Sequence, residues 1–325
     1  MKKLTIILCS VLALQVLLSI ILLTQKQDRG AYKSDQSLLE ITKEALDSII
    51  LEEKGKPPLE LKLTGNDWVL PGYFNMPVAK NKLETGINKL LGFKKGWPVA
   101  KTEEAAPRFK VAGNDYERKI TFQKGGKAVK TLYLGSSPGF KKIHARVDGE
   151  KDIQSIEFSA FEVSVNAEDW MQRDLIKIDP EPLTHIETSG FSLAKVDDDW
   201  QVEKLAEDQI TNADGVKSFL GKLEDLSYVS VLGVEEKPEY GLTQSTLKLV
   251  LNKDAKAIQY TIGKLKEQDD FVLKTSTQPY FFKVNKVQVD ALTEVELAKL
   301  VNEKGSEGQD AKDSEKETGK LEAKP

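Results

Sequence analysis

The chain has 325 residues, of which 40% are hydrophobic and 30% charged, so it can form packed cores for about two domains. Its 47 basic and 51 acidic side chains give a net charge of −4, which argues against a general nucleic-acid-binding surface. The single cysteine excludes an internal disulfide, and with only two histidines little soft-metal chemistry is available. We expect no nucleic-acid partner, no metal site and no cofactor.

Residues 1–30 have the pattern of a membrane anchor. Lys2 and Lys3 precede an apolar run over residues 4–23, and twenty helical residues extend roughly 30 Å, the thickness of the hydrocarbon core of a bilayer. The run is longer than the apolar region of a signal peptide, and residues 22–26 contain no cleavage site with small residues. The sequence predicts an uncleaved transmembrane helix in the inner membrane, with cleaved export or a buried helix of a soluble protein as the alternatives.

The orientation of this helix follows from its flanking charges and from what comes after it. The positive-inside rule places Lys2 and Lys3 in the cytoplasm, although Lys26, Arg29 and Lys33 act in the opposite sense. A long folded segment is translocated largely regardless of its charge. We therefore expect a single-pass protein whose bulk is periplasmic or otherwise extracytoplasmic.

Two later stretches of sequence indicate a tandem duplication. Asp67-Trp68 recurs as Asp199-Trp200, and a predicted amphipathic helix follows each pair. The apolar positions of the two helices step by four and three residues, which places them on one helical face: Leu83, Ile87 and Leu90 in the first, and Val216, Leu220 and Leu223 in the second.

Predicted β-hairpins repeat around these landmarks in the same order. Alternating apolar and polar residues predict paired strands in the first copy at 48–51, 59–63, 120–122, 127–135, 143–147 and 153–158. The counterparts in the second copy are 185–187, 191–193, 247–251, 256–263, 271–275 and 281–286. Each copy is expected to close with a helix, over residues 167–176 and 293–301.

The predicted fold class is α+β, with two similar units after a single N-terminal transmembrane helix. Each unit is expected to be an antiparallel sheet with helices packed on one face, because its strands alternate apolar and polar residues. The predicted segments are an anchor at 1–30, a first unit at 31–180, a second unit at 181–301 and a disordered charged tail at 302–325. The tail is poor in apolar residues and cannot bury enough surface to fold.

This arrangement resembles the bacterial family called domain of unknown function 4340. The resemblance is carried by the two Asp-Trp strands with their helices, by Tyr240-Gly241-Leu242 ahead of a strand, by Gly263 and by residues 170–176, over about residues 35–300. Phe109-Lys110-Val111 departs from the Tyr-Gly-Leu pattern in the first copy. Members are often encoded beside gliding-motility-like ABC transport components, so the resemblance implies an envelope role linked to a transporter and supplies no catalytic residues.

No residue pattern predicts a catalytic, cofactor-binding or metal-binding site. His144 and His185 lack a neighbouring nucleophile or carboxylate signature and are expected to be structural. Asp197-Asp198-Asp199 lacks the ligand spacing of a calcium loop and is expected to be a solvated turn. Trp68 and Trp200 are expected to pack in the cores, with a ligand-stacking platform as the alternative.

The expected function is that of a non-enzymatic accessory or binding subunit of an ABC-type transport complex. Sheet edges offer backbone pairing to an extended partner, which suits such a role. One alternative is a periplasmic binding module for a peptide, a glycan or a lipid. The other is a hydrolase whose acid and base are carboxylates far apart in the sequence.

Overall fold

A computed structural model of the protein describes residues 12, 14–17, 19, 35–253 and 256–304. By their internal contacts the residues divide into two compact units, Met1–Met171 and Gln172–Pro325, which we call unit 1 and unit 2. The boundary predicted from the sequence, at residue 180, lies further along the chain.

Only part of the predicted anchor belongs to the described residues. Leu12, residues 14–17 and Ser19 have helical backbone conformation, and their side chains are exposed. Within the described part of the chain, no helix is both long and apolar enough to cross a bilayer. The rest of the predicted span over 4–23, like residues 305–325 of the predicted tail, lies outside the described residues.

Unit 1 is built on one eight-stranded antiparallel sheet. In chain order its strands are β1 (Ser48–Glu52), β2 (Leu59–Thr64), β3 (Asp67–Leu70), β4 (Met76–Pro77), β5 (Val111–Ala112), β6 (Asp115–Tyr116), β7 (Arg118–Lys124), β8 (Lys127–Leu134), β9 (Ile143–Val147) and β10 (Gln154–Ile156). The large sheet has the order β10-β9-β8-β7-β1-β2-β3-β4, while β5 and β6 form a small sheet of their own.

Unit 2 is built in the same way. Its strands are β11 (His185–Thr188), β12 (Ser192–Val196), β13 (Asp199–Val202), β14 (Gln209–Thr211), β15 (Ser230–Gly233), β16 (Leu247–Lys253), β17 (Lys256–Lys264), β18 (Phe271–Thr275), β19 (Phe281–Val284) and β20 (Val301–Glu303). The large sheet has the order β13-β12-β11-β16-β17-β18-β19-β15, and β14 pairs with β20.

Helices are few in the described residues, and most of them are short. In unit 1 they are α1 (Lys80–Lys82), a π-helical segment (Leu83–Asn88), α2 (Lys89–Gly92) and α3 (Ala105–Arg108); in unit 2 they are α4 (Ala213–Glu224) and α5 (Lys286–Thr293). Single 3₁₀ turns lie at Lys43–Ala45, Pro71–Tyr73, Ala160–Val163, Ala167–Asp169, Pro238–Tyr240, Leu242–Gln244 and Leu297–Lys299. The structure is therefore mostly antiparallel sheet.

Seven strands follow one another in the same order in the two large sheets. The series β3-β2-β1-β7-β8-β9-β10 of unit 1 corresponds to β13-β12-β11-β16-β17-β18-β19 of unit 2. The register agrees as well, because Leu134 faces Ala145 in unit 1 and Ile262 faces Leu273 in unit 2. The eighth strand differs: β4 lies beside β3, whereas β15 lies beside β19.

Residue alternation and turn chemistry explain why these segments form hairpins. In β16 the apolar positions Leu247, Leu249 and Leu251 are buried and the residues between them are more exposed. Gly125 and Gly126 connect β7 to β8 and both have positive φ, 57° and 73°, a combination that L side chains rarely adopt. The strands and hairpins predicted from the sequence are confirmed by these elements.

The two predicted closing helices are wrong. Residues 167–176 contain no helical element longer than the 3₁₀ turn Ala167–Asp169, because Trp170 points into the core, where its indole N–H donates to the Ser164 carbonyl at 2.8 Å. In unit 2, residues 293–301 include only the end of α5, the turn Leu297–Lys299 and the first residue of β20. The predicted tail therefore starts inside a strand that pairs with β14.

Candidate functional site

The outer edge of β13 in unit 2 borders a cleft of about 610 Å³. Strand β13 is the last strand of its sheet, and within the described residues it pairs only with β12. The cleft is lined by the β13 end of the sheet, by β14 and by one face of α4: Asp198, Asp199, Trp200, Gln201, Leu205, Gln209, Ile210, Thr211, Ala213, Val216, Lys217 and Leu220.

The helical wall of this cleft follows from the sequence of α4. Asn212 caps the helix, because its side-chain Oδ1 accepts a hydrogen bond from the Gly215 amide at 3.1 Å. Ala213, Val216 and Leu220 then recur at helical spacing and form one apolar stripe along the cleft. A rigid helix therefore presents an apolar surface opposite the sheet edge.

In unit 1 the corresponding edge is covered by the chain itself. Strand β4 pairs with β3, with Val69 facing Pro77 and Leu70 facing Met76, and the Val78 amide donates to the Trp68 carbonyl at 2.8 Å. On the other side of this segment, the Ala79 amide donates to the Trp170 carbonyl at 2.7 Å. The segment is thus held from both sides.

The segment that corresponds to β4 in unit 2 is β14, and it is held from one side only. The Asn212 amide donates to the Leu300 carbonyl at 2.8 Å, and Thr211 faces Val301 of β20, which repeats the contacts of Ala79 and Val78 in unit 1. Toward β13, however, the link is a side-chain bond, in which the Val202 amide donates to the Thr211 hydroxyl at 3.0 Å. The cleft lies where unit 1 has a β-ladder.

Side-chain polarity gives a physical reason for this difference. The seam between β3 and β4 buries Val69, Leu70, Met76 and Val78. At the corresponding positions unit 2 has Gln201, Val202, Gln209 and Thr211, of which only Val202 is buried. With three polar residues in place of apolar ones, closure of the seam would bury less apolar surface and would desolvate polar groups.

The two repeated tryptophans consequently differ in environment. Trp68 is 6% exposed and belongs to the core of unit 1, as expected. Trp200 is only partly buried and lies in the cleft wall, so the expectation of two equivalent core tryptophans is wrong for the second one. Trp200 instead has the exposure required of a stacking surface.

His144 lies in β9 and is buried. Its Nδ1 is 3.1 Å from the Ser136 hydroxyl, the Phe109 ring packs against it with centroids 4.5 Å apart, and burial lowers the pKa of the imidazole. In the part of the chain that the structure describes, no carboxylate hydrogen-bonds to this ring. The Ser–His pair therefore lacks the third group that orients a catalytic histidine.

His185 and the aspartate run have structural surroundings as well. The His185 Nε2 lies 3.0 Å from the Glu203 carboxylate and its Nδ1 lies 3.3 Å from the Asn252 amide, so the ring links β11 to β16 and to the residue that follows β13. Asp197 and Asp198 have positive φ, 49° and 70°, in the turn between β12 and β13. Among the described residues there is no group of three or more potential metal ligands.

The Tyr240-Gly241 turn and Gly263, which carry part of the family resemblance, are structural. A Cβ on Gly263 would lie 2.4 Å from the Tyr240 carbonyl, so only glycine lets β17 approach the Tyr240-Gly241 turn. In unit 1 a Cβ on Gly135 would lie 2.1 Å from the Phe109 carbonyl, and Lys110 has φ 54°, close to the 65° of Gly241. The two turns therefore correspond, although Phe109-Lys110-Val111 departs from the sequence pattern.

Carboxyl groups with a resolved pKa shift are all lowered in the described residues. They are Glu40, Glu44, Glu53 and Glu104, and for Glu53 the causes are hydrogen bonds from Lys56 and Arg118 together with their charges. A lowered pKa keeps a carboxylate ionised, whereas a general acid needs a raised one.

Most of the cleft could not be found from the sequence. Its pattern singles out Asp198, Asp199, Trp200, Val216 and Leu220, but it does not place them beside Ile210 and Thr211. A signal was present in the comparison of the two Asp-Trp segments, because Val69 is replaced by Gln201 next to the repeated tryptophan. Such a polar replacement on one side of a strand indicates a wetter environment at that edge.

Comparison with known proteins gives one match. The family described as Domain of unknown function (DUF4340) matches residues 68–245, which begin at Trp68 and include the Asp199-Trp200 strand and the whole cleft. This match confirms the family resemblance seen in the sequence. No curated protein and no solved structure matches the chain.

Proposed function

Since the chain belongs to the DUF4340 family, a domain of unknown function, we propose that it is a non-enzymatic binding subunit of a membrane transport complex. In this proposal residues 4–23 anchor the protein in the inner membrane, and both units lie outside the cytoplasm. An ABC-type transporter is the expected partner. The observation that carries the proposal is the open edge of β13, which offers a partner both backbone groups and an apolar cleft.

The anchor is supported by the N-terminal sequence and by the few residues described there. Leu12, Leu14, Val16 and Leu17 are between 52% and 62% exposed, in helical conformation. Apolar helical side chains that face outward on all sides are stable in a bilayer and costly in water. This supports a membrane-embedded helix in preference to a helix packed on either unit.

A tandem duplication is part of the proposal. It is supported by the seven strands that share order and register, and by the corresponding contacts of Ala79 with Trp170 and of Asn212 with Leu300. Two copies of one scaffold allow one edge to be closed for stability while the other is used for binding. The difference at β4 and β14 is what such a division of roles would require.

A second candidate function is a binding module for a peptide, glycan or lipid that is not part of a transporter. The volume of the cleft favours it, because about 610 Å³ lies within the range of roughly 300–1,000 Å³ typical of small-ligand sites. A carboxylate hydrolase is the weaker alternative, since it needs a paired acid and base in a pocket.

The proposal is tested in cells that produce the full chain. We expect the protein in the membrane fraction after an alkaline carbonate wash, and we expect a variant without residues 1–30 to leave that fraction. A photo-crosslinking residue at position 201, exposed on β13, should give adducts with transporter subunits, whereas the same residue at Lys127, exposed on β8, should not. Full-length protein in the cytosol, or adducts that do not depend on position, would contradict the proposal.

A further inference from the structure

We propose that the cleft of unit 2 binds an extended peptide segment of a partner protein, which adds to β13 as a new strand and places an apolar side chain against Trp200. This inference rests on the proposed function and names the surface and the partner chemistry through which it operates. The occupant is a linear segment with a basic residue next to the apolar one.

In unit 1 the chain itself supplies the strand that a partner peptide would supply in unit 2. There the edge equivalent to β13 is paired with the extended segment 76–78, and the Val78 amide donates to the carbonyl of Trp68. Unit 2 keeps the supporting wall, since β14 holds its contacts to β20 and to Leu300, but the ladder with the sheet is missing. An added strand would supply the main-chain partners that β4 supplies in unit 1.

Some backbone groups of β13 point away from its sheet, toward the cleft. The Glu203 amide donates to the Ser192 carbonyl at 3.0 Å, so in this antiparallel pair every second residue of β13 faces β12. By that alternation the amide and carbonyl of Trp200 point away from β12, toward the cleft. They are the groups to which a strand-forming peptide would bond.

The cleft also provides a site for an apolar side chain of the peptide. Ile210, Val216 and Leu220 form apolar walls near the Trp200 ring, so a peptide residue directed inward would lose its contact with water. Burial of one such side chain adds specificity to backbone pairing, which alone does not discriminate between sequences.

The charged side chains that line the cleft favour a basic residue in the peptide. Two carboxylates, Asp198 and Asp199, stand against one ammonium group, Lys217. The Lys195 ammonium is 3.8 Å from Asp198, whose side chain is fully exposed, so water screens that pair and the carboxylate stays accessible to a second cation. A basic residue beside the apolar one therefore matches the rim, and its contribution should weaken with salt.

The test uses the full chain in detergent micelles as bait for a phage-displayed library of random dodecapeptides. We expect enriched peptides to share an apolar residue next to a lysine or arginine. For the best synthetic peptide, Trp200→Ala should raise the dissociation constant about tenfold or more, as expected for an aromatic anchor. Trp97→Ala, which removes a 64% exposed tryptophan of unit 1, is the matched control and should leave the affinity unchanged.

Two further measurements distinguish strand addition from binding through side chains alone. Methylation of alternate peptide amides, in one register only, should abolish binding if main-chain hydrogen bonds hold the peptide. Leu220→Gln, at a partly buried position on the helical wall, should reproduce the loss if Trp200→Ala proves poorly folded.

Several outcomes would overturn the inference. They are the absence of enrichment over a Trp200→Ala bait, equal affinity for both tryptophan variants, indifference to methylation in either register, or Trp200-dependent self-association that identifies a second copy as the occupant. Because the assay uses purified protein, its failure leaves the membrane fractionation result unchanged, and the two proposals fail independently.

Discussion

Units 1 and 2 each contain a sheet in which seven strands correspond, and the two sheets differ at the edge next to the repeated tryptophan. In unit 1 the chain returns as β4 and closes that edge, so Trp68 is buried. In unit 2 the corresponding segment, β14, pairs with β20 and leaves a cleft beside Trp200. The comparison shows that two or three side chains along a seam can decide whether the apolar surface at a sheet edge is buried in the core or exposed to solvent and to a partner.

The largest expected effect separates the two tryptophans. Trp68→Ala should destabilise unit 1 by about 3–5 kcal/mol, because it removes a buried aromatic side chain and leaves a cavity. Trp200→Ala should cost unit 2 only about 1–2 kcal/mol, since that ring is already partly solvated. Urea unfolding monitored by hydrogen exchange in each unit measures both values. Equal losses would show that Trp200 is a core residue.

Glycines in the two equivalent helices should respond in opposite directions. A Cβ on Gly86, in the π-helical segment, would lie 2.6 Å from the Glu162 carbonyl, so Gly86→Ala should destabilise unit 1 by about 1–3 kcal/mol. Gly221 of α4 has open space around it, so Gly221→Ala should stabilise unit 2 by about 0.5–1 kcal/mol. Thermal unfolding of the two variants is the measurement, and a loss in both would contradict the described packing.

The seam itself can be transplanted from unit 1 to unit 2. The triple variant Gln201→Val, Gln209→Met and Thr211→Val gives unit 2 the residues of Val69, Met76 and Val78. We expect β14 to close on β13, with a gain of about 1 kcal/mol from apolar burial and loss of peptide binding. Exchange of the amides of residues 200 and 211 reports closure. Unchanged exchange with unchanged binding would show that polarity does not hold the cleft open.

The last comparison concerns alkaline pH, at which the stability of unit 2 should depend more strongly on pH than that of unit 1. Burial raises the pKa of the Tyr228 phenol to about 12, while the unfolded chain titrates near its ordinary value of 10. Because the folded state favours the neutral phenol, its contribution to stability is complete below pH 10 and falls as the pH rises toward 12. Tyr228→Phe should flatten that part of the stability profile and cost about 1 kcal/mol at neutral pH, because the phenol O–H donates to the Gln172 carbonyl at 2.7 Å. The same slope in the variant would be the contrary result.

Strands were predictable from this sequence because their pattern is local. The alternation over residues 143–147 and 271–275 gives the bounds of β9 and β18, and the hairpin turns follow from glycine and polar residues. The predictions of closing helices were wrong because tertiary contacts of Trp170 and Val301 outweigh the local helical preference of these segments.

The cleft was not predictable from local pattern alone. It depends on whether residues 209–211, which pair with the distant strand β20, also pair with β13. Short segments of this kind carry little periodicity, so their partner is decided by which seam buries more apolar surface. Aligning the two units residue by residue is what exposes the difference.

Hydrogen exchange of the full chain with and without its selected peptide tests the central claim most directly. If an extended segment adds to β13, the peptide should slow exchange in residues 198–203 and 209–212, and exchange in residues 66–71, where β4 already occupies the edge, should not change. Protection that appears elsewhere in the chain, or equally at both edges, would contradict the account.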